Sequence, residues 1–228
     1  MQGCKNDQRK LEKDRGNAHL KLKIDTLELA LSKIEKESPI AGFAVAIVNS
    51  DSVIYQKGFG ISNLETNKPY SSKTIQPLAS ISKTFIGASI MILVDEGKIN
   101  WDDKVKEYLP YFELYAPYVT DNFTIRDLLT HRSGLKDVSG GTLWYHSDYS
   151  REEIIKRLKY LEPVSSYREK PAYQNVMYVV ASEIVKVVSG ISWDDFLRER
   201  VFDKLKMICS DFVNFLGCKV GQKFTGKW

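Results

Sequence analysis

The run from Ser80 to Gly97 constrains this chain more than any other stretch. Ser80 is followed by Ile81, Phe85, Ile86, Ile90, Leu93 and Val94, at spacings close to three and four. That period predicts a helix, apolar around most of its girth, of the kind buried between layers of a globule. Asp95-Glu96-Gly97-Lys98 ends it, with Gly97 as the left-handed stop. A chain of 228 residues can build the core such a helix needs. Ser80 then falls in the first turn, where free backbone N–H groups and the helix dipole favour negative charge. Lys83 lies one turn on, so its amine can fold back toward the Ser80 hydroxyl. A serine hydroxyl is a weak nucleophile and needs an adjacent base. A lysine serves as one where burial or neighbouring positive charge favours its neutral form.

The spacing alone carries little. With 20 Ser and 24 Lys among 228 residues, chance gives roughly two Ser-x-x-Lys matches. Two occur, at Ser80–Lys83 and Ser133–Lys136. Gly134 directly follows Ser133 and no sustained helical pattern comes after, so the second match reads as a turn.

Composition excludes several functions. The net charge of +4 is small, and Lys and Arg are interleaved with acids, which leaves no nucleic-acid footprint. No apolar run reaches membrane-spanning length. Cys4, Cys209 and Cys218 form no Cys-x-x-Cys pair, and His19, His131 and His146 lack metal-ligand spacing, so neither a metal nor a cofactor is expected. Cys209 and Cys218 read either as a pair or as two free thiols. Gly3-Cys4, followed by polar residues to Asn17, reads either as the lipid-bearing start of a periplasm-facing lipoprotein or as a plain tail.

In order, 1–19 is a polar tail. Leu20, Ile24, Leu27, Leu31 and Ile34 mark one helix face, stopped at Ser38-Pro39. Strands follow at 42–48 and 53–57, joined by Asn49-Ser50-Asp51-Ser52, and residues 61–79 are irregular. Helix and hairpin together, 20–79, suggest α+β layering. The part from 80 to 208 is mostly helical. It has a short helix from Trp101 to Leu109 ended by Pro110, cap signals at Thr124/Asp127, Ser150/Glu153 and Ser192/Asp195, and a helix over about 175–189 stopped by Gly190. Gly134 closes the segment opened by Thr124, and 136–149 reads as loop. Residues 209–228 show no clean period and form a divergent tail. Tyr173-Gln174-Asn175 sits at a loop-to-helix corner, where side chains can face a cleft. Taken alone, a core Tyr and a capping Asn are the plainer reading.

Taken together, the parts resemble a family. Ser-x-x-Lys opens a buried helix, Leu129-Thr130-His131-Arg132-Ser133-Gly134-Leu135 follows, and Tyr173-x-Asn175 precedes a helix ending Val188-Ser189-Gly190. This order is similar to the serine β-lactamase family. The nearest branch is class C, with its D-alanyl-D-alanine carboxypeptidase and esterase relatives. Val45-Ala46-Ile47-Val48 and Gly58-Phe59-Gly60 fit as well, and the likeness runs from about Ile40 to Met207. It implies an α+β, β-lactamase/transpeptidase-like fold, with the N-terminal helix and hairpin packed with the helical part. It also implies that Ser80 forms an acyl-enzyme on a β-lactam, D-alanyl peptide or small ester. Lys83 would take the Ser80 proton, Tyr173 would act as base or relay, and Asn175 would bind the substrate's amide side chain. His131 is given a structural place.

The sequence departs from that family downstream. The family's third element, a Lys-Thr-Gly or His-x-Gly triplet on a strand, has no counterpart here. Lys223-Phe224-Thr225-Gly226 lies too close to Tyr173 and without a strand pattern around it. The C-terminal sheet strands are therefore expected to be missing. A two-stranded sheet with an open edge is marginal alone. The alternative reading is a catalytically impaired remnant that folds or binds only with a partner, or as a homo-oligomer covering that edge.

Overall fold

The structure is a computed structural model. It describes residues 2–145 and 147–207, with side chains described from Leu20 onward. The divergent tail, Cys209, Cys218, the Lys223–Gly226 echo and His146 lie outside the described residues. Two compact units divide the chain, 1–76 and 77–228.

The first unit holds helix α1 (Gln2–Glu37) and an antiparallel sheet of β1 (Gly42–Val48), β2 (Val53–Asn63) and β3 (Lys68–Pro69), in the order β1-β2-β3. The helix begins at Gln2 and not at Leu20, so the polar stretch expected as a tail is helical. It contains Lys, Arg and Gln and no Pro, and such residues have good intrinsic helix propensity. Further on, Leu31 packs with Tyr55 and Phe59, flanked by Ile24, Leu27, Phe43 and Val45. Phe43 pairs opposite Phe59 in the sheet, and their rings stack with centroids 5.0 Å apart. The sheet therefore has three strands, against an expectation of two. Strand β2 runs through Gly58-Phe59-Gly60 to Asn63, past the expected end at Lys57. Here glycine permits close approach: a Cβ on Gly58 would stand 2.5 Å from the Ser71 backbone, and one on Gly60 2.3 Å from Ala41 O.

The second unit is helical. It comprises α2 (Ser82–Asp95), α3 (Val105–Tyr108), α4 (Pro117–Asn122), α5 (Ile125–Leu129), α6 (Gly141–Trp144), α7 (Arg151–Arg157), α8 (Val176–Ser189), α9 (Trp193–Leu197) and α10 (Asp203–Leu205). A π-turn, Arg198–Phe202, joins the last two. Helix α8 is the axis of the core: every residue from Val176 to Val185 is buried. Around it pack Ile86, Ile90 and Leu93 of α2, Ile125 and Leu128 of α5, Ile155 of α7 and Phe196 of α9. Each such side chain contributes roughly 1.5–3 kcal/mol when fully buried.

The cap signals hold. Thr124 and Asp127 form a reciprocal capping box on α5, as Ser150 and Glu153 do on α7. Gly97 and Gly190 take left-handed backbone, at φ +68° and +78°. Three expectations fail. Helix α2 is less enclosed than the pattern suggests, since Met91 within it and Ile81 just before it stay exposed. The short helix expected from Trp101 to Leu109 covers only Val105–Tyr108, and α4 and α6 went unread. Short helices carry too few turns to show a period. Finally, α5 ends at Leu129, and His131 (φ +58°) takes the first left-handed turn after it, ahead of Gly134 (φ +85°).

Candidate active site

Ser80 lies in a 3-10 turn, Ala79–Ile81, that leads directly into α2. The residue before it, Ala79, is held in left-handed backbone at φ +47°. A residue with a Cβ adopts that region at a cost of about 1–2 kcal/mol. The strain sits at the point where Ser80 is turned out of the chain.

Lys83 follows one turn later and is buried, 8% exposed. Its Nζ donates to Ser80 Oγ at 3.3 Å and to Asn175 Oδ1 at 2.5 Å. The ammonium also lies over the rings of Tyr173 and Tyr178, at 4.6 and 5.4 Å from their centroids. Tyr173 OH donates to Ser80 Oγ at 2.6 Å. The four residues singled out in the sequence thus converge on one point, although 90 residues separate Lys83 from Tyr173.

Asn175 is placed where a cap would be. It immediately precedes α8, yet its side chain makes no cap hydrogen bond. A capping Asn typically contributes about 1 kcal/mol. Here the side-chain oxygen is turned to Lys83 instead.

The electrostatics single out Tyr173. Burial pushes its phenol up, but its hydrogen bonds with Lys83 and Ser80 and the Lys83 charge outweigh burial, so it ends below the ordinary tyrosine value. Asp137 opposes the shift. Other tyrosines move the opposite way: burial raises Tyr178, and it raises Tyr111 to about 12.

His131 supports this corner without touching Ser80. Its ring lies 4.7 Å from that of Tyr173 and 5.3 Å from that of Tyr178. Its Nδ1 accepts from Gln174 N–H at 3.0 Å, which puts the proton of the neutral ring on Nε2. Burial first, and the Lys83 charge second, hold its pKa below the usual value. Ser133 is buried and accepts from Leu135 N–H at 3.3 Å, a local turn as expected. Asp137 was missed in the sequence: its Oδ1 accepts the Tyr173 N–H at 2.6 Å. The signal was faint, one acid just beyond the 129–135 motif. Among the described residues no cluster of His, Cys, Asp or Glu can hold a metal ion.

Comparison with known proteins bears on this arrangement. The Beta-lactamase family model matches residues 27–214. The chain belongs to the β-lactamase family. By that membership it is a relative of serine hydrolases with a β-lactamase/transpeptidase-like fold. It is 29% identical to penicillin-binding protein 4* of Bacillus subtilis over 184 residues, 77% of this chain and 39% of that protein. It is also 29% identical to a D-aminopeptidase of Brucella anthropi over 191 residues, 79% of this chain and 35% of that one. An octameric penicillin-binding protein homologue from Pyrococcus abyssi superposes with a TM-score of 0.70 at 28% identity, covering 81% of this chain and 43% of that chain. The chain therefore spans less than half the length of each of these relatives.

Proposed function

We propose that this β-lactamase-family chain is a serine acyl-transfer hydrolase with Ser80 as nucleophile. One observation carries the reading: Ser80 Oγ lies within hydrogen-bond reach of two separate basic groups, Lys83 Nζ and Tyr173 OH. In the step that this geometry supports, Ser80 Oγ bonds to a carbonyl carbon while its proton passes to Lys83 in its neutral amine form, the form that has a lone pair to take it. The C–N or C–O bond of the substrate then breaks. Tyr173 relays a proton to the leaving atom, and water later hydrolyses the ester on Ser80. Asn175, with its oxygen on Lys83, has its Nδ2 left to donate to the carbonyl of the substrate's amide side chain. Ser80 N–H supplies one oxyanion donor. A second donor is worth about 10²–10³ in rate, and the family's third element supplies it.

The substrate class in this reading is a β-lactam, a D-alanyl peptide or a small ester. Penicillin-binding protein 4* and the D-aminopeptidase among the relatives favour the first two. Incubation with a fluorescent penicillin, a D-alanyl-D-alanine peptide and an activated ester tests it. Intact mass should rise by one acyl group, and peptide mapping should place that group on Ser80. An adduct on any other residue, or none with all three probes on folded protein, overturns the reading.

A second reading has its own observation. Strand β1 stands at the edge of the sheet with Ala44, Ala46, Ile47 and Val48 exposed. Such an edge invites strand pairing, and the homologue from Pyrococcus abyssi is octameric. Here the chain binds a second copy through β1 and is catalytically impaired alone. A monomer by light scattering at micromolar concentration removes that reading. Extracytoplasmic placement with a lipid on Cys4 completes the proposal. It rests on Gly3-Cys4 alone and fails if labelled palmitate is not incorporated in a Cys4-dependent way.

A further inference from the structure

The loop after α5 holds the Tyr173 corner by five hydrogen bonds. Ala172 N–H donates to His131 O at 2.8 Å, and Val138 N–H donates to Tyr173 O at 2.7 Å. Gln174 N–H donates to His131 Nδ1 and Gln174 Nε2 to Lys136 O, at 3.0 and 2.6 Å. The fifth runs from Tyr173 N–H to Asp137 Oδ1 at 2.6 Å. Three successive backbone N–H groups, 172 to 174, are thus all taken by one loop. That loop is strained to reach them: Val138, a β-branched residue, stands at φ +53°. Of the five bonds only that of Asp137 brings a carboxylate to the tyrosine that reaches Ser80.

We infer that Asp137 is a positioning residue for Tyr173, fixing its backbone through the N–H. The inference rests on the acyl-transfer reading of Ser80 and Tyr173. Without the Asp137 bond, residue 173 keeps its other anchors but loses the one on its own N–H. Displacing a catalytic group by about 1 Å costs on the order of 10²-fold, and a partial release should cost roughly tenfold. Asparagine keeps an oxygen for the N–H and removes the charge. The groups facing Tyr173 are Ser80 and Lys83 before and on α2, His131 and Asp137 on the loop, and Tyr178 on α8. Of these, Asp137 raises the phenol pKa and Lys83 lowers it. Removing the acid therefore moves Tyr173 ionisation to lower pH.

The experiment compares Asp137→Ala and Asp137→Asn in the full chain, by acylation rate with the fluorescent penicillin across pH. Tyrosinate absorbance is titrated without substrate, and Tyr173→Phe identifies the component due to Tyr173. The expected result is a roughly tenfold slower D137A, a D137N that recovers most of the rate, and an acid-shifted Tyr173 component in D137N. Two results overturn the inference: D137N falling as far as D137A, or both variants keeping the wild-type rate. If wild type forms no acyl-enzyme, the hydrolase reading fails, and the clamp stands only if the residue 173 amide exchanges faster in D137A than in D137N.

Discussion

Ser80→Ala is expected to abolish acyl-enzyme formation, and Lys83→Met to slow it by about 10²–10⁴, the usual worth of a positioned proton acceptor. Neither change should unfold the chain. Ser80 is exposed, and losing its hydroxyl removes no packed surface. Lys83 is buried, but methionine fills most of its volume and carries no charge to desolvate. The penalty in Lys83→Met falls on Asn175, whose Oδ1 loses its 2.5 Å donor. Asn175 is only half-buried, so water can take the vacated place and the cost stays below the roughly 1–3 kcal/mol of a fully buried acceptor. Groups that act as one unit are not additive, so the double variant should be no slower than Ser80→Ala. A second readout needs no substrate. The Lys83 charge and hydrogen bond hold Tyr173 below the ordinary tyrosine value, so in Lys83→Met its absorbance titration should move to higher pH. Stopped-flow acylation and that titration check both halves. Wild-type acylation by Lys83→Met would remove the lysine from the mechanism.

The second large effect is structural and lies away from Ser80. Asp127→Asn is expected to destabilise the chain by about 3 kcal/mol, the lower end for a broken buried ion pair, because Arg168 is half exposed and water can rescue it. The Asp127 carboxylate is 4% exposed and collects five donors. Arg168 reaches it with two N–H groups, at 2.8 and 2.7 Å. Tyr167 OH donates at 2.5 Å, and Thr124 gives its N–H and Oγ1–H at 2.9 and 2.7 Å. The same residue therefore caps α5 and ties the 165–170 segment to it. Burial pushes the carboxyl up, but those donors outweigh burial and bring it to about 2.

A folded-state value below the unfolded one, about 3.9, stabilises the fold above pH ~4. That stabilisation is lost as pH falls from ~4 through about 2, and for a group this buried it amounts to about 2 kcal/mol. Urea midpoints measured across that window should fall steeply in wild type and more gently in Asp127→Asn. Equal slopes would place the pH dependence on other carboxylates.

Much of the second unit was legible because its signals are local. The capping boxes of Thr124 and Ser150 and the stops at Gly97 and Gly190 follow from nearby residues alone. The Asp127–Arg168 pair was not legible, because 41 positions separate its members and nothing in either neighbourhood names the other. Strand β3 has two residues, Lys68 and Pro69, and no period to read. The left-handed turn at His131 also went unread, since a non-glycine residue adopts it only where tertiary contacts hold it there.

The sequence alone determined the helix that Ser80 opens, the presence of Lys83 one turn later and the loop-to-helix corner at Tyr173 and Asn175. Each is set by hydrophobic period and cap chemistry within about ten residues. Only the tertiary structure decided that Asn175 turns from capping α8 to Lys83, and that Asp137 and His131 hold the tyrosine corner. These depend on which segments the shared core around α8 brings side by side, and burial of that core is a non-local effect.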